Sequence, residues 1–487
     1  MVDIETIELL AKKKGFFYPS DEIYGGFAGF YTYGHLGTLM KMKLENLWRK
    51  FFINENNFYE IDPPLIMSEK VFEASGHLKG FVDPVAKCTK CNTAHRADHI
   101  LESCLGRTFE GMTPEELTKL IVENNIKCPK CKGNLGEAGI LNMMFSMEVG
   151  ADNYAKGYLR PETAQGSYVN FLSQFTTQRK KIPMGLAIVG KSFRNEISPR
   201  QLTTRMREFT QAELQIFFDP DKINEHEDWD DVKDYTLNVL PVSERDKGKS
   251  FEKSCEELSK TVPRFYVRYM AKVQQFFLDL LKIEKGKFRF RELSEDERAF
   301  YNKMHWDMEI DIESLGGFKE VGGVHYRTDH DLAGHQKVSK QKQEIFFDGK
   351  KFIPHVLELS FGVDRIFYAL LDLSYSVNDD KVILKLPPVV APITVSVFPL
   401  VNKNGLDLKA EIVCRELDEH FDVFYDGSGS IGRRYARSDE AGTPFAVTID
   451  FDTTKDSTVT LRYRDTARQE RVKITELVAK IKQEMKS

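Results

Sequence analysis

The chain has 487 residues, more than one hydrophobic core ordinarily holds, so we expect two or three domains. Hydrophobic residues make up 41%, charged residues 29%, and the formal net charge is −5, a balance typical of globular proteins. Net acidity does not exclude a nucleic-acid partner, because binding depends on a local basic surface. No apolar run approaches the ~18 residues of a membrane span, and the N-terminus resembles an amphipathic helix more than a signal peptide, so we predict a cytoplasmic protein with no membrane partner.

The first predicted unit, residues 1–80, combines a helix with an extended segment. Apolar side chains recur at helical spacing from Leu36 to Phe52, which predicts a long amphipathic helix. Residues 54–57 end this helix, and residues 58–67 are predicted to be extended. Because proline has no backbone N–H, Pro63 and Pro64 must interrupt the strand or lie at a sheet edge.

Residues 81–145 differ from their surroundings, and we interpret them as an insertion. They hold two cysteine pairs, each with a two-residue gap, at Cys88, Cys91, Cys128 and Cys131. This spacing indicates a structural Zn²⁺ site, with a set of reduced thiols as the alternative. We predict that the other cysteines are buried apolar residues, namely Cys104, Cys255 and Cys414.

Residues 146–374 are predicted to alternate between strands and helices. The patterns of residues 182–197 and 204–218 predict an antiparallel pair of strands joined by a loop around Ser198–Thr203. Residues 219–285 are charged, and we predict that they form a second, helical insertion. Strands are expected again at Lys287–Glu292 and His305–Asp311, and residues 356–373 run from a strand into an apolar helix.

The last third of the chain is predicted to contain a linker and a separate domain. Residues 375–392 hold three prolines and a charge cluster, which is typical of a linker. Residues 393–487 alternate strands with helices, which predicts a small α/β domain with a mixed sheet. The fold class of the whole chain is therefore predicted to be α/β or α+β.

Three short stretches stand in a fixed order along the chain. They are the helix and strand that end at Pro63–Pro64, FRNE at 193–196 followed by RMREFTQAE at 205–213, and GVDR at 362–365. Each stretch is a weak signal alone, but in this order the three resemble motifs 1, 2 and 3 of the class II aminoacyl-tRNA synthetases. The resemblance implies an antiparallel catalytic sheet flanked by helices, ATP as a substrate, and a homodimer with motif 1 at its interface.

The chemistry of amino-acid activation explains why arginines occur in these stretches. A carboxylate must attack the α-phosphate of ATP, and because both are anionic the site must neutralise charge on several oxygens. The planar, permanently charged guanidinium binds such oxygens in pairs. We predict that Arg194 binds the α-phosphate and that Arg365, at a helix start, binds the γ-phosphate. The other assignments are Arg205 and Arg207 for the β- and γ-phosphates, Phe209 for the adenine ring, and Glu320, Glu358 or both for Mg²⁺.

A closer resemblance, to the glycyl-tRNA synthetases, rests on RADH at 96–99, RPETAQG at 160–166, YRTDHDL at 326–332 and ELSFG at 358–362. It implies glycine as a substrate and tRNA(Gly) as a partner. Glycine has no side chain to grip, so selection must come from a small, crowded, negatively charged pocket. We predict that Glu162 and Glu358 bind the ammonium group, and that Ser360 fills the space where a side chain would begin.

The resemblance also assigns individual residues to each substrate. The catalytic set is Arg194, Glu196 and Arg365. The residues expected near ATP are Arg194, Asn195, Glu196, Thr204, Arg205, Met206, Arg207, Glu208, Phe209, Glu320, Val321, Gly362, Val363, Asp364 and Arg365. The residues expected near glycine are Arg96, Glu162, Phe209, Thr210, Gln211, Ala212, Glu213, Arg327, Glu358, Leu359, Ser360, Phe361 and Gly362.

Residues 429–450 resemble the anticodon-binding domain that the glycyl, threonyl, prolyl and histidyl enzymes share. The resemblance implies contacts with tRNA, and three arginines on one helical turn are candidates for its phosphates, with a solvated helix face as the alternative: Arg433, Arg434 and Arg437. Phe445 is the candidate for stacking on an unpaired base.

Together these resemblances imply a two-step reaction in which glycine and ATP form glycyl-adenylate, and the 3′ end of the tRNA then attacks it. Two alternatives stay open. A threonyl or prolyl synthetase is one, although the histidine-containing zinc set of the threonyl site is not seen in the sequence. A non-catalytic synthetase-like protein is the other, although such proteins lose phosphate-binding arginines, and Arg194, Arg207 and Arg365 are all present.

Overall fold

The computed structural model describes residues 2–109, 111–151, 155–199, 201–226, 228–299 and 301–485. Its helices are α1 (Ile4–Lys14), α2 (His35–Trp48), α3 (Glu69–Ala74), α4 (His77–Gly80), α5 (Ala97–Leu105), α6 (Pro114–Glu123), α7 (Ala164–Thr177), α8 (Trp229–Val232), α9 (Cys255–Leu258), α10 (Arg264–Gln275), α11 (His330–Ser339), α12 (Val363–Ser374), α13 (Leu406–Asp418), α14 (Ile431–Glu440), α15 (Thr453–Asp456) and α16 (Ile474–Glu484). Within the described ranges, no helix combines the length and the apolar character needed to cross a membrane.

The strands of the N-terminal part and of the insertion are β1 (Phe17–Pro19), β2 (Tyr31–Tyr33), β3 (Tyr59–Glu60), β4 (Ile66–Ser68), β5 (Val82–Cys88), β6 (Ala94–Arg96), β7 (Leu135–Asn142), β8 (Ser146–Val149) and β9 (Ala155–Leu159). Those that follow, up to the linker, are β10 (Met184–Phe193), β11 (Glu208–Phe218), β12 (Thr236–Leu240), β13 (Phe251–Ser254), β14 (Phe288–Glu292), β15 (Met304–Ile312), β16 (Gly317–Thr328), β17 (Ile345–Phe347), β18 (Lys350–Phe352) and β19 (His355–Gly362). The remaining strands are β20 (Tyr375–Asn378), β21 (Lys381–Leu384), β22 (Val395–Pro399), β23 (Val423–Tyr425), β24 (Phe445–Ile449), β25 (Thr458–Tyr463) and β26 (Gln469–Lys473).

The largest sheet has the strand order β13-β12-β14-β15-β16-β19-β11-β10-β3. Its neighbouring strands are antiparallel, except for the parallel pairs β12/β14 and β10/β3. The predicted antiparallel pair is confirmed as β10 and β11, which pair from Met184 opposite Phe217 to Phe193 opposite Glu208. The predicted α/β or α+β class, with a mainly antiparallel sheet and flanking helices, is therefore confirmed.

The prediction that residues 219–285 form a helical insertion is wrong in part. The segment supplies β12 and β13, which extend the large sheet at one edge, before α10 follows. Leu237 and Val239 enter the main core, and the backbone N–H of Asn238 donates to the side chain of Gln274 in α10 at 2.9 Å. The apolar run of β12 is short and lies among charged residues, so its pattern is weak in the sequence.

The two faces of the large sheet are covered by different elements. On the back, Leu214 and Ile216 of β11 belong to the core that includes buried residues of α2, α10 and α12. On the front, Phe217 stacks on Phe171 of α7, with ring centroids 4.3 Å apart. Since side chains alternate along a strand, the residues of β11 at odd positions face the front. Helix α7 covers one end of that face, and a cavity opens beside it.

Helix α2 begins at His35, continues through a π-helical turn at Arg49–Ile53, and carries a buried lysine toward the large sheet. The Nζ of Lys41 donates to Oδ1 of Asp364 at 2.7 Å and to Oγ1 of Thr210 at 2.6 Å. The backbone N–H of Thr210 also donates to Oδ2 of Asp364. Lys41 therefore ties α2 to the first turn of α12 and to β11.

Two residues further along α2, Lys43 reaches a different part of the chain. Its Nζ donates to the carbonyl of Ala391 at 2.7 Å and to Oγ1 of Thr394 at 3.2 Å, and it lies 2.7 Å from Oδ2 of Asp422. Residues two apart on a helix point in nearly opposite directions. Helix α2 therefore contacts α12 on one side and the entrance to the C-terminal sheet on the other.

The C-terminal sheet has the order β23-β22-β24-β25-β26, with parallel pairing among the first three strands and antiparallel pairing beyond them. The mixed sheet predicted there is confirmed. Its core is formed by buried side chains that include Val397, Val447 and Leu461. The domain boundaries themselves stay predictions.

The structure places two of the candidate tRNA contacts in this domain away from solvent. Phe445 is buried and packs on Tyr463 with ring centroids 5.8 Å apart, so its ring is not available for stacking on a base. Arg434 is buried and donates to the carbonyls of Gly427 and Gly429 at 2.7 and 2.8 Å.

The other two arginines of that turn lie at the surface. Arg437 is exposed, but its Nη2 lies 2.6 Å from Oδ2 of Asp426. Arg433 is also exposed, and this exposed position on α14 fits both a contact with a tRNA phosphate and a solvated helix face.

Candidate active site

The open part of the front face forms a cavity of about 220 Å³. It lies among β11, β16, β19, the first turn of α12 and the loop between β10 and β11. Its wall includes most of the residues predicted to bind ATP or glycine, namely Glu162, Arg194, Glu196, Thr204, Arg205, Met206, Phe209, Thr210, Gln211, Glu213, Glu320, Val321, Glu358, Ser360, Gly362, Asp364 and Arg365. Motifs 2 and 3 and the RPETAQG stretch therefore converge on one site, whereas motif 1 contributes none of the described residues of its wall.

Several predicted residues lie outside this wall because of the pleat of the sheet. Ala212, Leu359, Phe361 and Val363 are buried in the core behind the sheet, where they cannot touch a ligand in the cavity. Asn195 and Glu208 are also outside: the N–H of Asn195 donates to the carbonyl of Met143 at 2.7 Å, and Glu208 pairs with Lys191 at 3.1 Å. Alternation within β11 and β19 thus separates ligand-facing residues from packing residues.

Arg207 is directed toward backbone carbonyls, not into the cavity. Its Nη1 donates to the carbonyl of Ala28 at 2.9 Å, and its Nε and Nη2 donate to the carbonyl of Glu196 at 3.0 and 2.8 Å. This places its guanidinium between the loop around residue 28 and the loop after β10. The expectation that Arg207 reaches the β- and γ-phosphates is not supported by this placement.

Arg96 likewise lies outside the cavity wall, in the insertion. Its Nη1 is 3.2 Å from Oδ1 of Asp83, and its Nε donates to Oδ1 of Asp98 at 3.1 Å. Arg96 and Arg205 both line a neighbouring cleft, and Arg205 also lines the cavity. Its predicted contact with glycine stays a prediction, since Arg96 is not among the residues that line the cavity.

One end of the cavity is acidic. Glu213 accepts hydrogen bonds from Thr163 Oγ1 at 2.6 Å, Ser360 Oγ at 2.7 Å and Gln211 Nε2 at 2.7 Å. Burial raises the pKa of Glu213, and the nearby charge of Glu162 raises it further. The carboxylates of Glu162, Glu213 and Glu358 thus crowd a space that favours a small cation.

Arg327 is fully buried beneath this acidic end and holds two of its carboxylates. Its Nη1 donates to Oε2 of Glu358 at 3.0 Å, its Nη2 lies 3.6 Å from Oε1 of Glu162, and its Nε donates to Oδ2 of Asp331 at 2.8 Å. The ring of Tyr301 lies 4.1 Å from its guanidinium carbon. Arg327 does not line the cavity, and its hydrogen bonds fix the positions of the acids from beneath it.

Burial and charge move the pKa values of these acids in different directions. Burial pushes the pKa of Glu162 upward, but His77 and Arg327 beside it bring that pKa below its ordinary value. Burial raises the pKa of Glu358 to about 8, although Arg327 opposes the shift. The acidic end therefore holds carboxyl groups of unequal acidity, and a bound cation would favour the ionised form of each.

The other end of the cavity is basic. The guanidinium of Arg194 lies over the rings of Phe81 and Phe209, 5.3 Å from each, and its Nε donates to the carbonyl of Pro161 at 3.0 Å. Arg365 donates from Nε to the carbonyl of Thr204 at 3.0 Å. These contacts hold two guanidinium groups at the cavity wall, where they favour an anion.

Two acidic residues accompany these arginines. Arg365 Nη1 lies 3.0 Å from Oε1 of Glu320, whose side chain is half exposed. Arg205 donates to Oε2 of Glu196 at 2.8 Å. Glu320 therefore presents a carboxylate at the basic end, as a hard cation beside phosphates requires, whereas Glu358 lies at the acidic end and is held by Arg327.

Some cavity residues were not predicted from the sequence. They are Thr203, Tyr301, Gly322, Gly323 and His325. His325 and Gly323 reach the site because β16 pairs with β19, which places them directly opposite Glu358 and Ser360. Only the cross-strand register shows this, although the glycine-rich stretch 316–323 is visible in the sequence.

The four paired cysteines of the insertion converge at a second site. Their sulfur atoms all lie within 4.8 Å of one another, with Cys88 and Cys131 3.5 Å apart and Cys91 and Cys128 3.7 Å apart. Four thiolates around a tetrahedral Zn²⁺ would lie about 3.8 Å apart, given Zn–S bonds of about 2.3 Å. The donor set and its spacing therefore fit zinc.

The backbone supports the same interpretation, because the two pairs form matching turns. The N–H of Asn92 donates to the carbonyl of Cys88 at 3.0 Å, and that of Lys132 donates to the carbonyl of Cys128 at 2.9 Å. Both Asn92 and Lys132 have φ of 60°. Of the remaining cysteines, Cys255 is buried and Cys414 half-buried, but Cys104 is exposed, contrary to prediction.

Comparison with known proteins gives matches along most of the chain. Residues 145–374 match the tRNA synthetase class II core domain (G, H, P, S and T), and residues 394–484 match the anticodon binding domain. The chain is also similar to proteins named glycine–tRNA ligase. It is 40% identical to that of Pyrococcus furiosus over 98% of both chains, 41% identical to that of Thermococcus sibiricus over 99% of both, and 38% identical to that of Methanocaldococcus jannaschii over 99% of both.

Proposed function

The chain belongs to the glycine–tRNA ligases within the class II tRNA synthetases, and from this premise we propose how its cavity divides the reaction between two ends. The basic end binds the phosphates of ATP, and the acidic end binds glycine. The opposition of these two charges in one cavity is the observation that carries the proposal. In the proposal, the ammonium group of glycine lies among the glutamates, and its carboxylate is directed toward the α-phosphate.

At the basic end, Arg194 binds the α-phosphate and Arg365 binds the γ-phosphate. The position of Arg194 against Phe209 supports this, because adenine can stack on Phe209 while the guanidinium reaches the phosphate beside it. Arg365 lies in the first turn of α12, where the helix N-terminus adds a favourable field for anions. Arg205 is the third candidate, and it would have to exchange its pairing with Glu196 for a phosphate.

Metal ions have distinct roles in the proposal. Glu320 would hold Mg²⁺ beside Arg365, and the ion would supply additional positive charge against the phosphates. Cys88, Cys91, Cys128 and Cys131 would hold Zn²⁺, which would stabilise the insertion and take no part in the chemistry.

At the acidic end, Glu162, Glu213 and Glu358 surround the ammonium group of glycine. Ser360 donates to Glu213 at 2.7 Å and fills the wall next to the substrate carbon. A larger amino acid would have to displace these hydrogen-bonded side chains, so the site selects glycine by exclusion. Arg327 contributes by keeping Glu162 and Glu358 in place.

The arrangement supports a reaction in two displacements. In the first, an oxygen of the glycine carboxylate attacks the α-phosphorus, the bond to the bridging oxygen breaks, and pyrophosphate leaves. The arginines offset the charge that builds up on the phosphate oxygens. In the second, the 3′-hydroxyl of the terminal adenosine of tRNA(Gly) attacks the carbonyl carbon and releases its proton to solvent. The bond between that carbon and the phosphate oxygen breaks, and AMP leaves with the bonding electrons.

The remaining parts of the chain are proposed to serve binding and assembly. We propose a division into residues 1–80 with motif 1, the insertion 81–145, the catalytic residues 146–374, the linker 375–392 and the anticodon-binding domain 393–487. The match of residues 394–484 to the anticodon binding domain supports the last unit, in which exposed Arg433 is the candidate for a tRNA phosphate. The cytoplasm, where tRNA is charged for translation, is the proposed compartment.

A homodimer is proposed from motif 1. Large apolar side chains are exposed near this motif, at Ile23, Tyr24, Phe27, Leu65 and Ile66, which is the composition expected of an interface. Sedimentation velocity tests this, because a dimer of 56.1 kDa chains separates clearly from a monomer. A monomer at micromolar concentration would contradict the proposal.

ATP–pyrophosphate exchange tests the assignment of the substrate. Exchange that depends on glycine and is absent with threonine or proline is the expected result. Exchange with threonine or proline but not glycine would contradict the glycine site. No exchange with any amino acid would contradict the catalytic reading of the cavity.

A further inference from the structure

His325 lines the cavity directly beside Glu358, although no motif of the sequence includes it. In the sheet, His305, His325 and Glu358 are direct neighbours across β15, β16 and β19. The Nε2 of His325 lies 3.6 Å from Oε1 of Glu358. The other carboxylate oxygen, Oε2, accepts from Arg327 at 3.0 Å and from the hydroxyl of Tyr168 at 3.4 Å. His325 thus faces the oxygen of Glu358 that Arg327 does not hold.

The side-chain amide of Asn302 is the basis for assigning the proton of His325 to one of its ring nitrogens. Nδ2 of the buried Asn302 lies 3.1 Å from Nδ1 of His325. With the amide in this orientation its nitrogen donates and Nδ1 accepts, which assigns the proton of the neutral ring to Nε2. Burial, with His305 and Arg327 nearby, holds the pKa of His325 well below its ordinary value, which keeps the ring neutral. The Nε2–H is therefore directed toward Glu358.

His305 and Gly323 keep the ring of His325 in this position. The two imidazole rings lie with centroids 4.0 Å apart, and Nε2 of His305 is 3.0 Å from Oδ1 of Asp307. A Cβ on Gly323 would lie 2.6 Å from Nε2 of His325 and 2.9 Å from Nε2 of His305, closer than packing allows. The absence of a side chain at residue 323 makes room for both rings.

We propose that His325 is a positioning residue for glycine, which acts by donating from Nε2–H to Oε1 of Glu358 and so orients that carboxylate toward the ammonium group. This inference rests on the proposed binding of glycine at the acidic end. Hydrogen bonds in ligand-free sites are often long and shorten when the substrate binds, and the 3.6 Å separation fits such a contact. Without the donor, Oε1 of Glu358 loses its contact with His325, and the carboxylate is less well aligned for the substrate.

The test compares three variants in ATP–pyrophosphate exchange: His325→Ala, His325→Phe and His325→Gln. We expect the KM for glycine to rise about tenfold in the Ala and Phe variants, because each loses a hydrogen bond to a charged group. The KM for ATP and kcat at saturating glycine should stay within about twofold of the wild type. The Gln variant should recover most of the glycine affinity, since its amide nitrogen can donate near the position of Nε2.

The Phe variant separates the hydrogen bond from packing, because it keeps a ring against His305 but has no donor. A wild-type KM for glycine in the Phe variant would overturn the inference. A Gln variant no better than the Ala variant, or equal changes in the KM values for glycine and ATP, would also overturn it. If the wild-type enzyme itself showed no exchange with glycine, the proposed function would fail first, and that result is distinguishable from failure of the His325 variants alone.

Discussion

Arg194, Arg207 and Arg365 all occur in motifs that the sequence associates with ATP, but their side chains have different environments. Arg194 and Arg365 line the cavity, whereas Arg207 donates to the carbonyls of Ala28 and Glu196. The carbonyl of Ala28 is 179 positions away in sequence, so the local pattern around Arg207 contains no sign of this contact. Residue identity predicts the chemistry available, but tertiary contacts decide which arginines can use it.

The two arginines at the basic end lead to a prediction about the first step of the reaction. We expect Arg194→Ala and Arg365→Ala each to slow glycine-dependent ATP–pyrophosphate exchange by about 10²–10³-fold, because each removes a charged donor aimed at phosphate oxygens. Arg433→Ala is the matched control, since this exposed arginine lies in the C-terminal domain and should keep wild-type exchange. Wild-type rates in either cavity variant would show that the phosphates bind elsewhere.

The buried carboxyl of Glu358 leads to a prediction about pH. Its pKa is raised to about 8 in the folded protein, against about 4.3 in an unfolded chain. The resulting stabilisation is fully present below about pH 4 and is lost as the pH rises through about 8, because the folded state must then ionise a buried group. Between pH 6 and pH 9, we expect the ligand-free melting temperature of the wild type to fall more than that of Glu358→Gln, by about 2–4 °C.

Differential scanning fluorimetry measures this difference. Glu320→Gln is the control, since ionisation of the half-exposed Glu320 costs little free energy. The melting temperature of this variant should change with pH as that of the wild type does. Parallel curves for the wild type and Glu358→Gln would contradict the raised pKa.

At the scale of elements, the alternation of a single pair of strands explains much of the site. The cavity is faced by Gln211 and Glu213 of β11 and by Glu358 and Ser360 of β19. The residues between the members of each pair, Ala212 and Leu359, face the core. The hydrophobic patterns of these strands predicted β10, β11 and β19, together with α12, because each pattern is local. The same patterns could not show His325 or Tyr301 at the site, since cross-strand register depends on residues far apart in sequence.

The insertion leads to a prediction about its cysteine cluster. We expect the purified wild type to contain about one zinc per chain and Cys128→Ser to contain much less, because three thiolates hold the ion more weakly than four. Limited proteolysis within residues 81–145 should be faster in Cys128→Ser or after removal of the metal by a chelator. Cys104→Ser is the control, since Cys104 is exposed and outside the cluster. Metal analysis by mass spectrometry decides the matter, and a metal-free wild type would contradict the zinc assignment.

At the scale of the whole molecule, the division into units stays a prediction that depends on a linker and on a change of pattern in the sequence. The contacts that α2 and α1 make with the C-terminal unit were not predictable, since each is made by a single side chain. Lys43 contacts Ala391, Thr394 and Asp422, and Lys14 of α1 pairs with Glu440 of α14. Such contacts depend on the final packing of separate sheets and leave no periodic pattern in the sequence.

Lys43 leads to a prediction about tRNA charging. We expect Lys43→Ala to keep ATP–pyrophosphate exchange near the wild-type rate when tRNA is absent, because Lys41 still holds Asp364. The rate of tRNA(Gly) charging should fall by about fivefold or more. A fivefold change is the lower end of the usual range for coupling between distant sites. Lys50→Ala is the control, since this exposed lysine lies in the following π-helical turn and is directed toward solvent. Equal losses in exchange and charging would contradict the assignment of different roles to Lys41 and Lys43.

The attachment of α2 at both sides has a thermodynamic consequence. Lys41 holds the helix to Asp364, next to Arg365, and Lys43 holds it to the entrance of the C-terminal sheet. Because one helix connects the two, we expect a shift of that sheet on docking a tRNA to displace the first turn of α12, and an adjustment of α12 around a nucleotide to displace the sheet. Linkage requires the two effects to be equal, so if tRNA changes the affinity for ATP by some factor, ATP changes the affinity for tRNA by the same factor.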